Sequence, residues 1–578
     1  MTNKEKMYLF YIFVLVMIGS GFELLAVAIF SPYIELITGS SGNDAGTLST
    51  ISKTIIGYIF GTDKTNEYII GLSILIIVIY IAKNLFLSYE KNTVYQYSYG
   101  MQHRVAKKLL SSYMMMPYTF HLGTNPAELV RSIISDVDRF TKVIIHTMEL
   151  VMEIVVCVVL GVYLFFVSPI ITGVIAVLLA IALLLYFKFA KGRLKKLGKE
   201  NQQFEASVYK NINQALGGIK EIKILERDDY FLDEFSTSLY GNLRIQRISR
   251  LMASLPKYFI EAICISGLMI AVIIMMLLDN GNASRFVPQI AVFATAAFRL
   301  MPSVGRINEH MAAIDGGDAS ISLIYNDLRS IDECGTTRAI TQKDTKLNFN
   351  NIVLTNIDYR YPDSEKNVFS NVNLSIKKGE TVAFIGESGA GKTTLVDIIL
   401  GILPPVKGHV FADDVDIFDD NLSGWHKNIG YIPQFIYLSD DTIRNNIAFG
   451  IMPKEIDDKK VVAAAKKAKL FDFVDSLPDG FDTVVGERGA RLSGGQRQRI
   501  GIARALYHDP EIIVMDEATS ALDNETETAV MESIDGLHGM KTMVIIAHRL
   551  STIKNADEIY EVSKGEVVKR RKEDVIKN

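Results

Sequence analysis

The sequence predicts an α-helical transmembrane bundle of six spans with long cytoplasmic helical extensions, followed by an α/β domain built around a glycine-rich phosphate loop. Three observations predict it. Apolar residues make up 49% of the 578 residues, and the mean hydropathy of +0.21 is too high for an ordinary soluble chain of this length. Most long apolar runs lie before about residue 310. From Lys346 onward strand-like and helix-like stretches alternate, and they include "GESGAGKTT". The resulting division is residues 1–325 for the membrane part, 326–345 for a linker and 346–578 for the soluble part.

A bilayer core of about 30 Å takes roughly 20 apolar residues of helix. Runs of that kind are Met7–Phe30, Tyr68–Leu87, Val143–Val167, Ile170–Phe189, Tyr258–Leu278 and Val287–Val304. The first follows "MTNKEK" but is longer than a signal core, so it reads as a retained span. Six spans leave both termini on one side. The basic stretches "HRVAKK" and "KFAKGRLKKLGK" follow spans two and four, whereas "VSP" and "DNGNASR" carry almost no positive charge. The basic connections are therefore cytoplasmic, and the soluble domain with them. The sequon at Asn282 faces outward and reads as a chance match.

Spans two to three and four to five are joined by polar connections of roughly 50 to 70 residues, long enough to require structure of their own. Both show helical periodicity, as in "NPAELVRSIISDVDRF" and "FEASVYKNINQALGGIKEIKIL", which predicts helical hairpins reaching into the cytoplasm. After the first span, Leu48, Ile51, Ile55 and Ile59 recur at helical spacing. That pattern fits an interfacial helix over residues 46–60, or a segment packed on the bundle. The net charge of −4 gives no reason to expect nucleic acid as a partner. Cys157, Cys264 and Cys334 are scattered, with neither a disulfide framework nor metal-ligand spacing.

In the soluble part, "TVAFIG" reads as a strand and "GKTTLVDIILGIL" as a helix, with Gly386, Glu387, Ser388, Gly389, Ala390, Gly391, Lys392, Thr393 and Thr394 between and across them. Gly386–Thr393 fit the P-loop pattern. Its backbone N–H groups close on phosphate oxygens, Lys392 reaches the β and γ groups, and the Thr393 hydroxyl ligates Mg²⁺. Downstream, "EIIVMDEATSALD" is a buried-looking strand that ends in Asp516, the expected Mg²⁺ partner, and Glu517, placed as general base for an attacking water. The strand "TMVIIAH" brings His548 to its carboxyl end, where ligands gather in parallel sheets. "RLSGGQRQRIGIARAL" sets a Ser-Gly-Gly turn ahead of a basic helix, which is a second anion-attracting geometry.

Together these motifs resemble the ABC transporter family, an exporter-type half-transporter with one nucleotide-binding domain, and the resemblance covers essentially the whole chain. It implies an ATP hydrolase coupled to transport, with ATP and Mg²⁺ as cofactors. Tyr361 of "YRYP" resembles the aromatic that stacks on adenine, and Gln434 of "GYIPQ" the loop glutamine that senses Mg²⁺. Ser493, Gly494, Gly495 and Gln496 lie in the family signature "LSGGQ", and Asp523 of "SALD" resembles its dimer-contact loop. His548 resembles the switch histidine on the γ-phosphate. Two such domains meet head to tail, so each ATP sits on one chain's P-loop and under the other's signature. One chain has one of each, and all follow the family pattern, so a homodimer is implied. The loops near His121–Asn125 and Leu225–Asp228 would hold the coupling helices.

Charged residues in or beside the spans point to the transported molecule, because placing them there is costly. Lys83, Lys257, Arg299 and Arg306 form a basic cavity for a diphosphate head group, or else they pair with Glu23, Glu149, Glu153 and Glu261 or lie at cytoplasmic helix ends. "FRLMPSVGRINEH" and the positions of Lys83 and Lys257 resemble the lipid-linked oligosaccharide flippases (PglK-like). That resemblance implies a polyprenyl-diphosphate-linked glycan as substrate and a bacterial cytoplasmic (inner) membrane as the location. A peptide or multidrug exporter, or an ATP-gated channel or sensor, remain alternatives at this point.

Overall fold

The structure is a computed structural model that describes residues 3–30, 33–34, 65–167, 169–278, 287–335, 345–362, 364–486, 489–516, 532, 536–547, 553 and 555–576. The predicted segment 46–60, Asn282, Glu517, Asp523 and His548 lie outside the described residues. The chain divides into two compact units, Met1–Tyr113 with Ala127–Ser330, and Met114–Pro126 with Ile331–Asn578.

Six long helices dominate the first unit: α1 Asn3–Ala28, α2 Thr65–Met115, α3 Val137–Val167, α4 Pro169–Gly217, α5 Asp228–Leu278 and α6 Val287–Gly335. Each contains one of the predicted spans, except that α1 stops two residues short of Phe30. Among the described residues, Asn3–Ala28, Ile69–Met115 and Glu128–Val167 are long and apolar enough to cross a membrane. At 1.5 Å per residue the 51 residues of α2 extend about 75 Å, far beyond a bilayer core. The predicted polar connections are therefore continuous extensions of the spans, and α6 runs on to Gly335, into the stretch read as linker.

Helices α3 and α6 meet along an antiparallel seam. At the end nearer the start of α3, Ser320 Oγ donates to Asp136 Oδ1 at 3.1 Å. Gly317 leaves room for Val143, since a Cβ at Gly317 would collide with that side chain. Next come His146 with His310, then Glu153 with Arg306. The seam closes in an apolar cluster of Val156, Leu160 and Leu164 against Val292, Phe293 and Ala296, with Val27 of α1. On α6, Ser320, Gly317, His310 and Arg306 are spaced by three, seven and four residues, which keeps them on one face of the helix. A π-turn at Ser132–Asp136 precedes α3 and buries Asp136 where Ser320 meets it.

The second unit has two sheets. β1 Asn351–Tyr359, β2 Phe369–Lys377, β4 Lys407–Ala412 and β5 Val415–Asp416 form an antiparallel sheet in the order β2-β1-β4-β5. The other sheet runs β10-β9-β3-β8-β7-β6, with β3 Thr381–Ile385, β6 Ile429–Ile432, β7 Ile512–Asp516, β8 Thr542–Ile546, β9 Glu558–Ser563 and β10 Glu566–Arg570. All its pairings are parallel except that of β10 with β9. β7 and β8 are buried at every residue, as their unbroken apolar runs require. Three helices matter for the site: α7 Lys392–Ile399, α8 Asp458–Lys467 and α9 Gly494–Tyr507.

Two cores flank the parallel sheet. One joins both sheets, α7 and Trp425, whose indole N–H donates to the Ile399 carbonyl at 2.9 Å. The other joins α8, α9 and the opposite face of the sheet. Trp425 is the chain's single tryptophan and fully buried, so its emission reports unfolding of this unit in the intact protein.

Candidate functional site

The P-loop leaves β3 and enters α7 by a path that demands glycine. Gly391 caps α7 at φ +102°, and a Cβ there would lie 2.9 Å from the Phe369 ring. Gly386 has φ +145°, and a Cβ would strike the Val562 carbonyl of β9. Lys392 is buried, and its Nζ donates to the carbonyls of Gly386 and Glu387, each at 2.9 Å. The ammonium is thus held by the carbonyls of its own loop. Glu387, Ser388, Gly389 and Thr393 are exposed and Ala390 is half-buried. Thr394 is buried, its hydroxyl 2.9 Å from the Tyr361 hydroxyl. Tyr361 in turn stands edge-on to Tyr359, centroids 5.2 Å apart. Its ring is therefore anchored to the P-loop helix.

Parallel pairing brings the ends of β3, β6, β7 and β8 to one edge. Ile432 of β6 lies opposite Met515 of β7, so exposed Gln434 follows β6 where buried Asp516 ends β7. Sequence reasoning missed Asp397, although it sits three and four residues beyond Thr394 and Thr393 on α7, the spacing that shares a helix face. Burial and the nearby Asp516 charge push its carboxyl up to about 6 from 3.8. Burial, then the charges of Asp516, Asp397 and Tyr118, likewise raises the Tyr431 phenol. Tyr118 belongs to the helix Tyr118–Gly123, which is part of this compact unit and near the predicted coupling loop at His121–Asn125.

Between pH 3.8 and about 6 the folded chain holds a proton on Asp397 that the unfolded chain has released. Folding is favoured by this group at low pH, and that contribution is lost as pH rises through the window. Asp397→Asn lacks the loss. Followed by Trp425 emission without nucleotide, its unfolding temperature relative to wild type is expected to rise by a few degrees from about pH 4 to about pH 7. A pH-independent difference would count against a raised Asp397 carboxyl.

The signature helix α9 starts with a complete capping box. Ser493 Oγ accepts from the Gln496 backbone N–H at 3.3 Å, and Gln496 Oε1 accepts from the Ser493 N–H at 2.8 Å. Ser493 is exposed, Gly494 half-buried and Gly495 buried. The helix arginines serve their own fold. Arg497 donates to the Leu492 carbonyl at 2.8 Å, Arg499 to that of Lys469 at 3.1 Å, and Arg504 to those of Asn446 and Tyr437 at 2.8 Å. Burial lowers the Arg504 guanidinium to about 10. The anion-attracting feature is thus the helix start, not its basic stripe. α9 packs in one core and α7 in the other.

In the membrane unit three of the predicted cations, Lys83, Arg299 and Arg306, are paired. Glu23 is buried, with Lys83 Nζ at 3.2 Å and Arg299 Nε at 2.8 Å from its Oε2. Arg306 holds Glu153 with two donors, at 2.5 and 3.2 Å. Arg299 and Arg306 both donate to Ser303 Oγ, at 3.2 and 3.3 Å. Glu90 is buried as well, within electrostatic reach of Glu23 and Glu153. Two carboxylates, Glu23 and Glu153, therefore pair with three cations, as the cost of unpaired charge at this depth requires. Lys257 lies on α5, and Glu261 is exposed.

A buried lysine held by the carbonyls of a P-loop, on the same chain as a multi-pass helical bundle, points to a class: a membrane transporter driven by ATP hydrolysis. The comparisons agree. Residues 9–297 match the family described as ABC transporter transmembrane region, and residues 369–520 match the one described as ABC transporter. The chain is 31% identical over 565 residues to the "ATP-dependent lipid A-core flippase" of Bordetella avium (strain 197N), covering 95% of this chain and 91% of the relative. It is 30% identical over 474 residues to the "Heterocyst differentiation ATP-binding protein HepA" of Nostoc sp., covering 81% and 75%. In fold it is similar to a bacterial Atm1-family ABC exporter solved with ATP bound, with a TM-score of 0.76 at 20% identity, covering 100% of this chain and 97% of that one. The chain belongs to the ABC transporter family, whose half-transporters work as dimers.

Proposed function

We propose that the chain is a homodimeric flippase of a bacterial inner membrane that moves a phosphate-bearing glycolipid at the expense of ATP. The observation that carries this reading is the likeness, across both halves, to a relative named for lipid A-core flipping. A polyprenyl-diphosphate-linked oligosaccharide has the same chemistry: anionic phosphate, glycan and a long apolar tail. Phosphate oxygens would compete with Glu23 and Glu153 for the donors of Lys83, Arg299 and Arg306, with Lys257 a further cation on α5.

The domain division follows the sequence reading, with residues 1–325 in the membrane part, 326–345 as linker and 346–578 as the nucleotide-binding domain. Thr393, Gln434 and Asp516 offer the oxygen donors that suit Mg²⁺, which when bound neutralises phosphate charge. Lys392 and the loop N–H groups orient the β- and γ-phosphates, and Tyr361 holds the adenine end. Glu517 takes a proton from the attacking water, and His548 contacts the γ-phosphate. Ser493, Gly494, Gly495 and Gln496 close the site on the partner's ATP, with Asp523 at the dimer contact. Separate packing of α7 and α9 supports this sharing, and so does the exposure of Ile224 and Leu225 at the second predicted coupling loop, apolar surface fit for a second copy.

The test is an ATPase panel in proteoliposomes with lipid A-core glycolipid, a polyprenyl-diphosphate glycan, peptides and hydrophobic cations side by side. Phosphoglycolipids are expected to stimulate hydrolysis several-fold and to change leaflet only when ATP is present. Stimulation confined to peptides or cationic drugs would replace this reading with an exporter of those compounds, and ATP-gated flux that never runs uphill would replace it with a channel.

A further inference from the structure

Halfway along the α3–α6 seam lies a cluster that the transport reading leaves unused. His146 and Glu149 sit at i and i+3 on α3, hence on one face, and His310 meets them from α6. The two Nδ1 atoms are 3.0 Å apart. Glu149 Oε2 lies 3.7 Å from His146 Nδ1 and 3.6 Å from His310 Nδ1. A point equidistant from these three atoms is about 2.0 Å from each, the bond length of zinc to imidazole nitrogen and carboxylate oxygen. We propose that His146, Glu149 and His310 bind a divalent transition-metal ion of the zinc type, which clamps α3 to α6.

The surroundings suit a built site. His310 is 6% exposed, while the His146 side chain is 28% exposed and leaves an entry path. The second carboxylate oxygen of Glu149 is held by outer partners, accepting from the Tyr95 hydroxyl at 3.4 Å with Lys91 Nζ at 3.5 Å. Both partners come from α2 and leave Oε2 turned to the histidines, the role outer groups play at metal centres. Without metal, the close Nδ1 pair requires one ring to donate its Nδ1–H to the other. With metal, both Nδ1 lone pairs face the ion and each ring keeps its proton on Nε2, so no net proton is lost. Two neutral imidazoles and one carboxylate leave a fourth position for water.

The experiment uses the tag-free full-length protein in nanodiscs, stripped with chelator and titrated with zinc alone against a chromophoric chelator. One zinc per chain is expected, with zinc raising the unfolding temperature in a concentration-dependent way. His310→Ala and His146→Ala should abolish stoichiometric binding, and Tyr95→Phe should weaken it by about tenfold. Should the alanine variants fail to fold, His310→Cys keeps a ligand in place, and zinc X-ray absorption should then show a sulfur neighbour at about 2.3 Å. Binding below one ion per chain, binding indifferent to both histidine changes, or a cysteine variant with no sulfur neighbour would overturn the site and leave only a hydrogen-bonded histidine pair. None of these outcomes depends on glycolipid stimulation, so the clamp and the transported substrate are judged separately.

Discussion

Glu517→Gln is expected to lower multiple-turnover phosphate release by about 10²–10⁴-fold while leaving ATP binding intact. The preceding residue, Asp516, is the last of β7, a strand buried along its whole length between β6 and β8, so the acidic pair starts from a rigid edge. An amide matches the carboxylate in size but cannot accept the proton of an attacking water. The phosphate contacts proposed for Lys392 and the loop N–H groups are untouched by the change. Phosphate release and fluorescent-nucleotide binding, measured on the same nanodisc sample, separate the two effects. Turnover near the wild-type rate would remove Glu517 from the role of base.

The second large effect is expected from Ser493→Asp. Aspartate is as good an N-cap as serine, so the capping box should survive and α9 should still form. What changes is one negative charge at the position proposed to face the partner's γ-phosphate. Two unit charges about 4 Å apart repel by about 4 kcal/mol at an effective dielectric of 20, close to three powers of ten in rate. Ser493→Asn caps the helix without the charge and should lose far less. The sharing of sites between copies predicts one more thing: dilute, monomeric Ser493→Asp chains bind ATP on their own P-loops as well as wild type does. An equal loss of affinity in monomers would place the signature over its own chain's nucleotide and end the two-copy reading.

How much of this was legible in the sequence depended on how local the signal was. The spans and the P-loop are contiguous patterns, and the structure has long helices and a β3–loop–α7 turn where they were read. The ion pairs between helices were not legible. Glu23 is 60 positions from Lys83, and Glu153 is 153 from Arg306. The acidic and basic residues were identifiable individually, but which of them neutralise each other depends on helix packing that no window of sequence contains. Tyr361 shows the same limit: its motif was recognisable, its hydroxyl partner Thr394 was not. His146, Glu149 and His310 fail the spacing rules for metal ligands because the third member comes from a distant helix. Asp397 was readable and overlooked, since its spacing from Thr393 already placed it beside the phosphate loop.

The seam also limits how the bundle can move. Sliding α3 past α6 by a single helical turn, about 5.4 Å, would part Ser320 from Asp136, His310 from His146 and Arg306 from Glu153 at one stroke. It would also drive the side chain of Val143 off the gap that Gly317 leaves for it. So many simultaneous ruptures make the two helices a single strut that tilts or travels whole. Whatever opens a route for a lipid head group must hinge at this strut's borders and leave its interior undisturbed.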